Sequence, residues 1–153
     1  MKLQRIYLDT SVFGGYYDEE FHEFTKPLFE RINKGDFKVL LSAVLQKELE
    51  PAPVKIVKLI TDLQLNYTEF LEEDDDAVEL ATAYIKEKVV GQTSFADCLH
   101  IALATKNRAD LLVSWNFKHI VNVERIRGYN SINIKNGYKQ LEIRSPRDLI
   151  NYG

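Results

Sequence analysis

The chain carries a single cysteine, Cys98, in 153 residues. No internal disulfide can form, which suits a reducing compartment. No apolar run approaches the roughly 20 residues that span a bilayer. The opening M-K-L-Q-R-I-Y-L-D lacks the long apolar region and cleavage site of a secretory signal. These absences predict a cytoplasmic protein with no membrane segment. The phosphate-loop pattern G-x-x-x-x-G-K-[ST] is missing, so Gly14-Gly15 is read as a flexible break rather than a nucleotide cradle. The pattern D-x-D-x-T of phosphatases with a covalent aspartate is missing too, because Asp9 is followed by T-S-V-F. There is no internal repeat, low-complexity tract or linker. Ordinary apolar (45%) and charged (28%) fractions then predict one globular domain over residues 1–153.

A net charge of −3 argues by itself against a nucleic-acid partner, but the charge is unevenly placed. Residues 1–105 hold 11 Lys and Arg against 19 Asp and Glu, while residues 106–153 hold 9 against 4. A basic final third beside acidic residues could supply phosphate contacts. Taken alone, a solvated and balanced surface explains the asymmetry as well.

Strand-like and helix-like segments alternate. Strands are predicted at Lys2–Leu8, Phe37–Leu41, Asn66–Leu71 and Leu111–Ser114, with a late edge strand at Leu141–Ile143. Helical spacing marks Glu20–Asn33, stopped by Gly35, and a helix capped by Ser42 that passes through Leu45 and Leu49 to Pro51. Further helices are predicted at Val54–Leu65, with Ile56, Val57, Leu59, Ile60 and Leu63 inward, at Asp74–Val90, and from Ser94. Val121–Ile134 is expected to be a helix followed by irregular chain, and Ser145–Leu149 a short helix with Pro146 first. This order predicts an α/β fold: a three-layer α/β/α sandwich on a mainly parallel central sheet.

Asp9 and Asn116 fall just past strand ends, Asp97 in the first turn of its helix, and Glu48 on the helix after the second strand. Right-handed crossovers open successive strand exits on one edge of the sheet, so the four side chains can converge on one crevice. Three carboxylates packed together cannot all stay ionised without a cation. Hard oxygen donors without His or Cys clusters suit Mg²⁺ or Mn²⁺. Each residue also has a structural explanation. Asp9 could cap its turn, Asp97 stands at capping-box spacing from Ser94, and Glu48 could lie on an exposed face.

Four segments together resemble the PIN domain family, in particular its VapC-type toxin ribonucleases. They are I-Y-L-D-T-S-V-F around Asp9, L-S-A-V-L-Q-K-E-L around Glu48, F-A-D-C-L-H-I-A-L-A around Asp97 and A-D-L-L-V-S-W-N-F-K-H-I around Asn116. The resemblance covers nearly the whole chain. It implies a PIN-like sandwich whose acids bind Mg²⁺ or Mn²⁺ for hydrolysis of RNA phosphodiesters, with Asp9, Asp97 and Glu48 as metal-associated acids. It also implies a homodimer and an antitoxin partner. The family's fourth acid is matched by Asn116, which supplies no charge. That departure favours one metal ion over two, or weakened catalysis. The competing reading is a PIN-fold module that binds RNA or protein and cuts poorly.

The remaining candidates have quieter explanations. His100, one turn beyond Asp97, is expected to pack or hydrogen-bond locally. His119 reads equally as an exposed turn residue or a substrate contact. One of Trp115 and Phe117 must point inward, and Cys98 reads as a small buried hydrophobe. Asp74-Asp75-Asp76 fits a helix start, Asp110 a turn or cap, and Tyr16, Tyr17 and Phe21 either an interaction surface or buried packing.

Overall fold

A computed structural model of the chain describes residues 2–63 and 65–151. Five parallel strands, β1 (Gln4–Leu8), β2 (Phe37–Ser42), β3 (Thr68–Leu71), β4 (Leu111–Val113) and β5 (Ile143–Arg144), form one sheet in the order β3-β2-β1-β4-β5. β1 lies at the centre, with Ile6 opposite both Val39 and Leu111. The chain builds outward from β1 to β2 and β3, then returns to the other side for β4. Strand order therefore reverses between β1 and β4, the place where such sheets open a crevice beyond their carboxyl ends.

Alternation of side chains along the strands divides the core into two layers. Ile6, Leu8, Val39, Leu41, Leu111 and Val113 pack on one face with Phe13, Leu28, Phe29 and Leu45. Tyr7, Leu40 and Leu112 pack on the other with Leu80, Tyr84, Ile101 and Tyr129. Both faces of the central strands are buried, as a parallel sheet requires. The expected three-layer sandwich is therefore the fold.

Helices α1 (Thr10–Gly15), α2 (His22–Asn33), α3 (Ala43–Leu49) and α4 (Val54–Thr61) lie in the first half of the chain. Helices α5 (Asp75–Lys86), α6 (Phe95–Lys106), α7 (Val123–Lys135) and α8 (Pro146–Asn151) follow. α2 buries Thr25, Leu28, Phe29 and Ile32, a single stripe at helical spacing, and Gly35 ends it with φ +83°. α6 is buried without interruption from Cys98 to Thr105. A helix so enclosed fixes its first turn against the rest of the fold. Among the described residues no helix is long and apolar enough to cross a membrane.

Four expectations need correction. Gly14-Gly15 is not a flexible break but the last part of α1, because Gly15 is packed beneath the Trp115 ring. The helix from Val54 stops at Thr61, and none of its residues is fully buried. Ile56, Leu59 and Ile60 pack against the core while partly exposed, on the side that the spacing predicts, and Leu63 beyond the helix end is buried. Asn66 and Tyr67 belong to a 3₁₀ turn before β3 rather than to the strand. α7 continues unbroken to Lys135, because Asn122 caps its start by accepting from the Glu124 and Arg125 amides, and Asn133 lies buried on its inner side. Two shorter segments shift by a few residues: α5 ends at Lys86, and the late strand is Ile143–Arg144.

Candidate active site

Asp9 leaves the end of β1, and its side chain makes no capping bond to α1. Its Oδ1 accepts from Ser11 Oγ and its Oδ2 from Ser114 Oγ, both at 2.6 Å. Ser114 follows β4, so this carboxylate ties together the two strands at which the sheet order reverses. Ser11 Oγ also accepts from the Trp115 amide at 2.8 Å, which fixes the loop after β4 against α1. Asp9 is 3% exposed. Burial pushes its proton affinity up, and the Asp97 charge adds to that rise. His100 and the two serine hydroxyls pull it back only in part.

Asp97 occupies the first turn of α6, half-buried. Ser94 provides no side-chain cap, so the capping-box explanation of Asp97 is not realised. Its proton affinity is also raised, first by burial. His100 and His119 act against the rise, Glu48 adds to it, and a hydrogen bond from Asn116 opposes it. Asp9, Glu48, Asp97 and Asn116 therefore meet in one electrostatic neighbourhood, contributed by β1, α3, α6 and the loop after β4.

Glu48 is held differently. Ser42 caps α3 by accepting from the Leu45 amide at 3.1 Å, which sets the phase of the helix. Glu48 Oε1 then accepts from Thr10 Oγ1 at 2.6 Å and from His100 Nε2 at 2.5 Å. Burial works to raise its proton affinity, but the bonds to His100 and Thr10 outweigh burial and hold the carboxyl below its ordinary value. His100 is buried and hydrogen-bonded as expected, but its partners lie far along the chain, and one of them is a site residue. Sequence reasoning had no means of naming that partner, because Glu48 lies 52 residues earlier.

Asn116 turns its amide oxygen to the backbone N–H of His119 at 2.9 Å. Its amide group faces Asp97 as a donor, an assignment that follows from the hydrogen-bond network. Thr10 and Ser11 spend their hydroxyl protons on Glu48 and Asp9. They support the two carboxylates. His119 is neither fully exposed nor fully paired: its Nδ1 is buried without a hydrogen-bond partner. Trp115 points inward, stacked on Phe21 at 4.3 Å, while Phe117 is exposed. Cys98 is buried, with its thiol pushed up to about 12. Asp110 accepts from the Arg5 amide at 2.7 Å, joining the starts of β1 and β4.

The fit of a divalent ion follows from these bonds. Among the described residues no three His, Cys, Asp or Glu side chains stand close enough together to hold a metal ion. Burial does, however, raise the proton affinity of both Asp9 and Asp97, and a neighbouring carboxylate adds to each rise: Asp97 for Asp9, and Glu48 for Asp97. Mg²⁺ keeps several waters and is often bound through only one or two carboxylates. The donor set of Asp9 and Asp97 fits such an ion, with Glu48 engaged by His100 and Thr10.

A search of curated protein sequences finds no match. Among solved structures, a chain of the VapBC2 complex of Rickettsia felis, bound to a DNA fragment from its promoter, has a similar fold. The TM-score is 0.54 at 14% identity, over 93% of this chain and 98% of that one. The family model for the PIN domain matches residues 6–142, a span that runs from within β1 to beyond α7 and includes all four site residues. By that match the chain belongs to the PIN domain family, whose members are generally nucleases.

Proposed function

We propose that this protein is a metal-dependent endoribonuclease of the VapC type, acting as the toxin of a type II toxin–antitoxin pair. The observation that carries the reading is the pairing of Asp9 with Asp97. Both are buried or half-buried, both have raised proton affinity, and each is made worse by a neighbouring carboxylate. Mg²⁺ or Mn²⁺ held by these two acids would polarise the scissile phosphate and offset charge developing on its oxygens.

The chain's own residues do the rest. Ser11 and Ser114 hold Asp9 in place through both carboxylate oxygens. Glu48, kept ionised by His100 and Thr10, orients the attacking water and accepts its proton as the water oxygen bonds to phosphorus and the ester P–O bond breaks, the leaving ribose oxygen taking a proton from solvent. Asn116 donates to Asp97 and keeps that carboxylate turned into the crevice. Beside Glu48 lies a groove of about 530 Å³, lined by Val44, Lys47, Glu73, Phe95 and Leu99 among others. Its mix of an aromatic ring, aliphatic side chains and a lysine suits a nucleotide. Lys118, exposed just beyond Asn116, would supply a further phosphate contact.

The toxin role carries three further expectations: a cytoplasmic location, a homodimer, and a small antitoxin as partner. The complex named for the Rickettsia felis structure is consistent with such a partner. The test is cleavage of structured RNA by wild type and Asp97→Asn protein with added Mg²⁺ or Mn²⁺. The variant should lose at least about a hundredfold in rate. Undiminished activity would remove Asp97, and the metal chemistry with it.

One observation favours the second reading, a PIN-fold module that binds RNA or protein and cuts poorly. The Asn116 oxygen is committed to the His119 amide, so the fourth position offers the crevice a donor instead of an anion. If wild type is inert and Asn116→Asp cleaves RNA, the binding module is the correct description.

A further inference from the structure

Tyr7 is fully buried in the middle of β1, on the sheet face that packs against α6. Its hydroxyl lies 2.6 Å from His100 Nδ1 and 2.8 Å from Ser42 Oγ. His100 is 1% exposed and sits in the continuously buried stretch of α6, where an aliphatic residue would meet the packing requirement equally well. Its Nε2 meets Glu48 at 2.5 Å. A carboxylate only accepts, so the proton of that bond is on Nε2. In the tautomer that carries its proton on Nε2, Nδ1 accepts from the Tyr7 hydroxyl, and Ser42 Oγ donates to Tyr7 while accepting from the Leu45 amide. Every donor and acceptor along this line is matched, from the core of β1 to the rim of the crevice. Metal-bound histidines are oriented by partners on their second nitrogen in the same way. Here the oriented ring presents an N–H to a carboxylate.

We infer that Tyr7 and His100 are positioning residues for Glu48, donating the N–H that fixes its carboxylate beside the Asp9–Asp97 pair and keeps it out of an ion's ligand set. The inference deepens the nuclease reading, since it takes Asp9 and Asp97 as the acids that hold the ion. It also accounts for the absence of a three-acid cluster among the described residues: the third acid already has a counterpart in protein. Removing that counterpart should free Glu48 to become a ligand.

Two measurements test this, and the first needs neither metal nor substrate. Ring ¹⁵N–¹H NMR of the metal-free protein should show His100 protonated on Nε2, with its N–H signal protected from exchange. Glu48→Gln should shift that signal strongly, and Tyr7→Phe should shift the Nδ1 resonance. An Nδ1-protonated ring, or an N–H signal unmoved by Glu48→Gln, overturns the inference whether or not the protein is a nuclease.

The second measurement is Mn²⁺ affinity, read from the free-ion electron paramagnetic resonance signal. Wild type and Glu48→Gln should bind within about twofold of each other, while Asp97→Asn loses at least about tenfold. His100→Leu should bind about tenfold more tightly than wild type, and His100→Leu with Glu48→Gln should return to the wild-type value. His100→Gln, which keeps an N–H donor, should stay close to wild type. Loss of affinity in Glu48→Gln matching that in Asp97→Asn overturns the inference, as does a His100→Leu variant that folds yet binds like wild type. Absence of Mn²⁺ binding by wild type would instead sink the metal reading, leaving the ring NMR to decide the positioning role.

Discussion

Gly15 and Trp115 touch so closely that no larger residue fits at position 15. A Cβ placed on Gly15 would lie 2.8 Å from both Cδ1 and Nε1 of the indole. The ring cannot yield, because its Nε1 donates to Thr25 Oγ1 at 2.8 Å and Phe21 is stacked against it at 4.3 Å. The amide of the same tryptophan donates to Ser11, which holds Asp9. A packing contact in α1 is thereby joined to the geometry of the crevice.

Gly15→Ala should destabilise the protein by about 1–3 kcal/mol through overpacking. Gly14→Ala, one residue away with open space around it, should be neutral or stabilising by up to about 1 kcal/mol. Urea unfolding of the two variants checks this directly. Equal losses in both would show that α1 matters through its backbone freedom rather than through the indole contact.

The pH dependence of stability follows from the acids. Asp9 and Asp97 have folded-state proton affinities raised above ordinary values. Each therefore takes up protons more readily when folded, and its unfavourable contribution grows as pH rises from the unfolded pKa, about 4, through the folded one. Glu48 is lowered and has the opposite sign: its favourable contribution is present above its unfolded pKa and lost as pH falls through the folded pKa. Metal-free Asp97→Asn should accordingly gain in Tm relative to wild type as pH rises above about 4. Glu48→Gln should instead fall behind as pH rises from the lowered folded pKa of Glu48 to its unfolded value of about 4, and keep that deficit above it. Thermal scans at several pH values, with and without Mn²⁺, measure both slopes. Added Mn²⁺ should raise the wild-type Tm most at the upper end.

Asn116→Asp keeps an oxygen to accept from the His119 amide but exchanges the donor facing Asp97 for a negative charge. Metal-free protein should lose about 1 kcal/mol from like-charge crowding and the lost hydrogen bond. Mn²⁺ should then bind more tightly than to wild type. Calorimetric titration and urea unfolding give the two numbers, and a variant that is less stable without gaining metal affinity would count against an ion in this crevice.

Lys118 is exposed just beyond Asn116. If the loop after β4 meets the RNA backbone, Lys118→Glu should weaken binding of unrelated RNAs alike and reduce the salt slope by about one or more. Filter binding across a salt series on a cleavage-deficient background checks it. Unchanged affinity would direct the search to the arginines of α7.

Much of the framework was legible because parallel strands and enclosed helices leave strong apolar signals. Val39–Leu41 and Leu111–Val113 could hardly be anything other than buried strands, and each delivers a polar residue at its exit. Asp9 and Asp97 could be placed in one crevice from chain order and crossover handedness alone. α1 was missed because its two glycines are poor helix formers, and the contact that justifies Gly15 lies 100 residues downstream. The inward stripe of α4 is legible, since Ile56, Leu59 and Ile60 pack against the core, but periodicity does not say how completely a stripe is covered. The commitment of Glu48 to His100 was invisible for the same reason: hydrogen bonds across the fold have no period.

The flanks of the sheet bear on how copies of this protein could meet. At one end β5 contributes only two residues, and at the other β3 contributes four, with Phe70 half exposed. Such brief margins offer few free amides and carbonyls for another chain to extend the ladder. Edge-to-edge extension of the sheet is thereby disfavoured at both flanks.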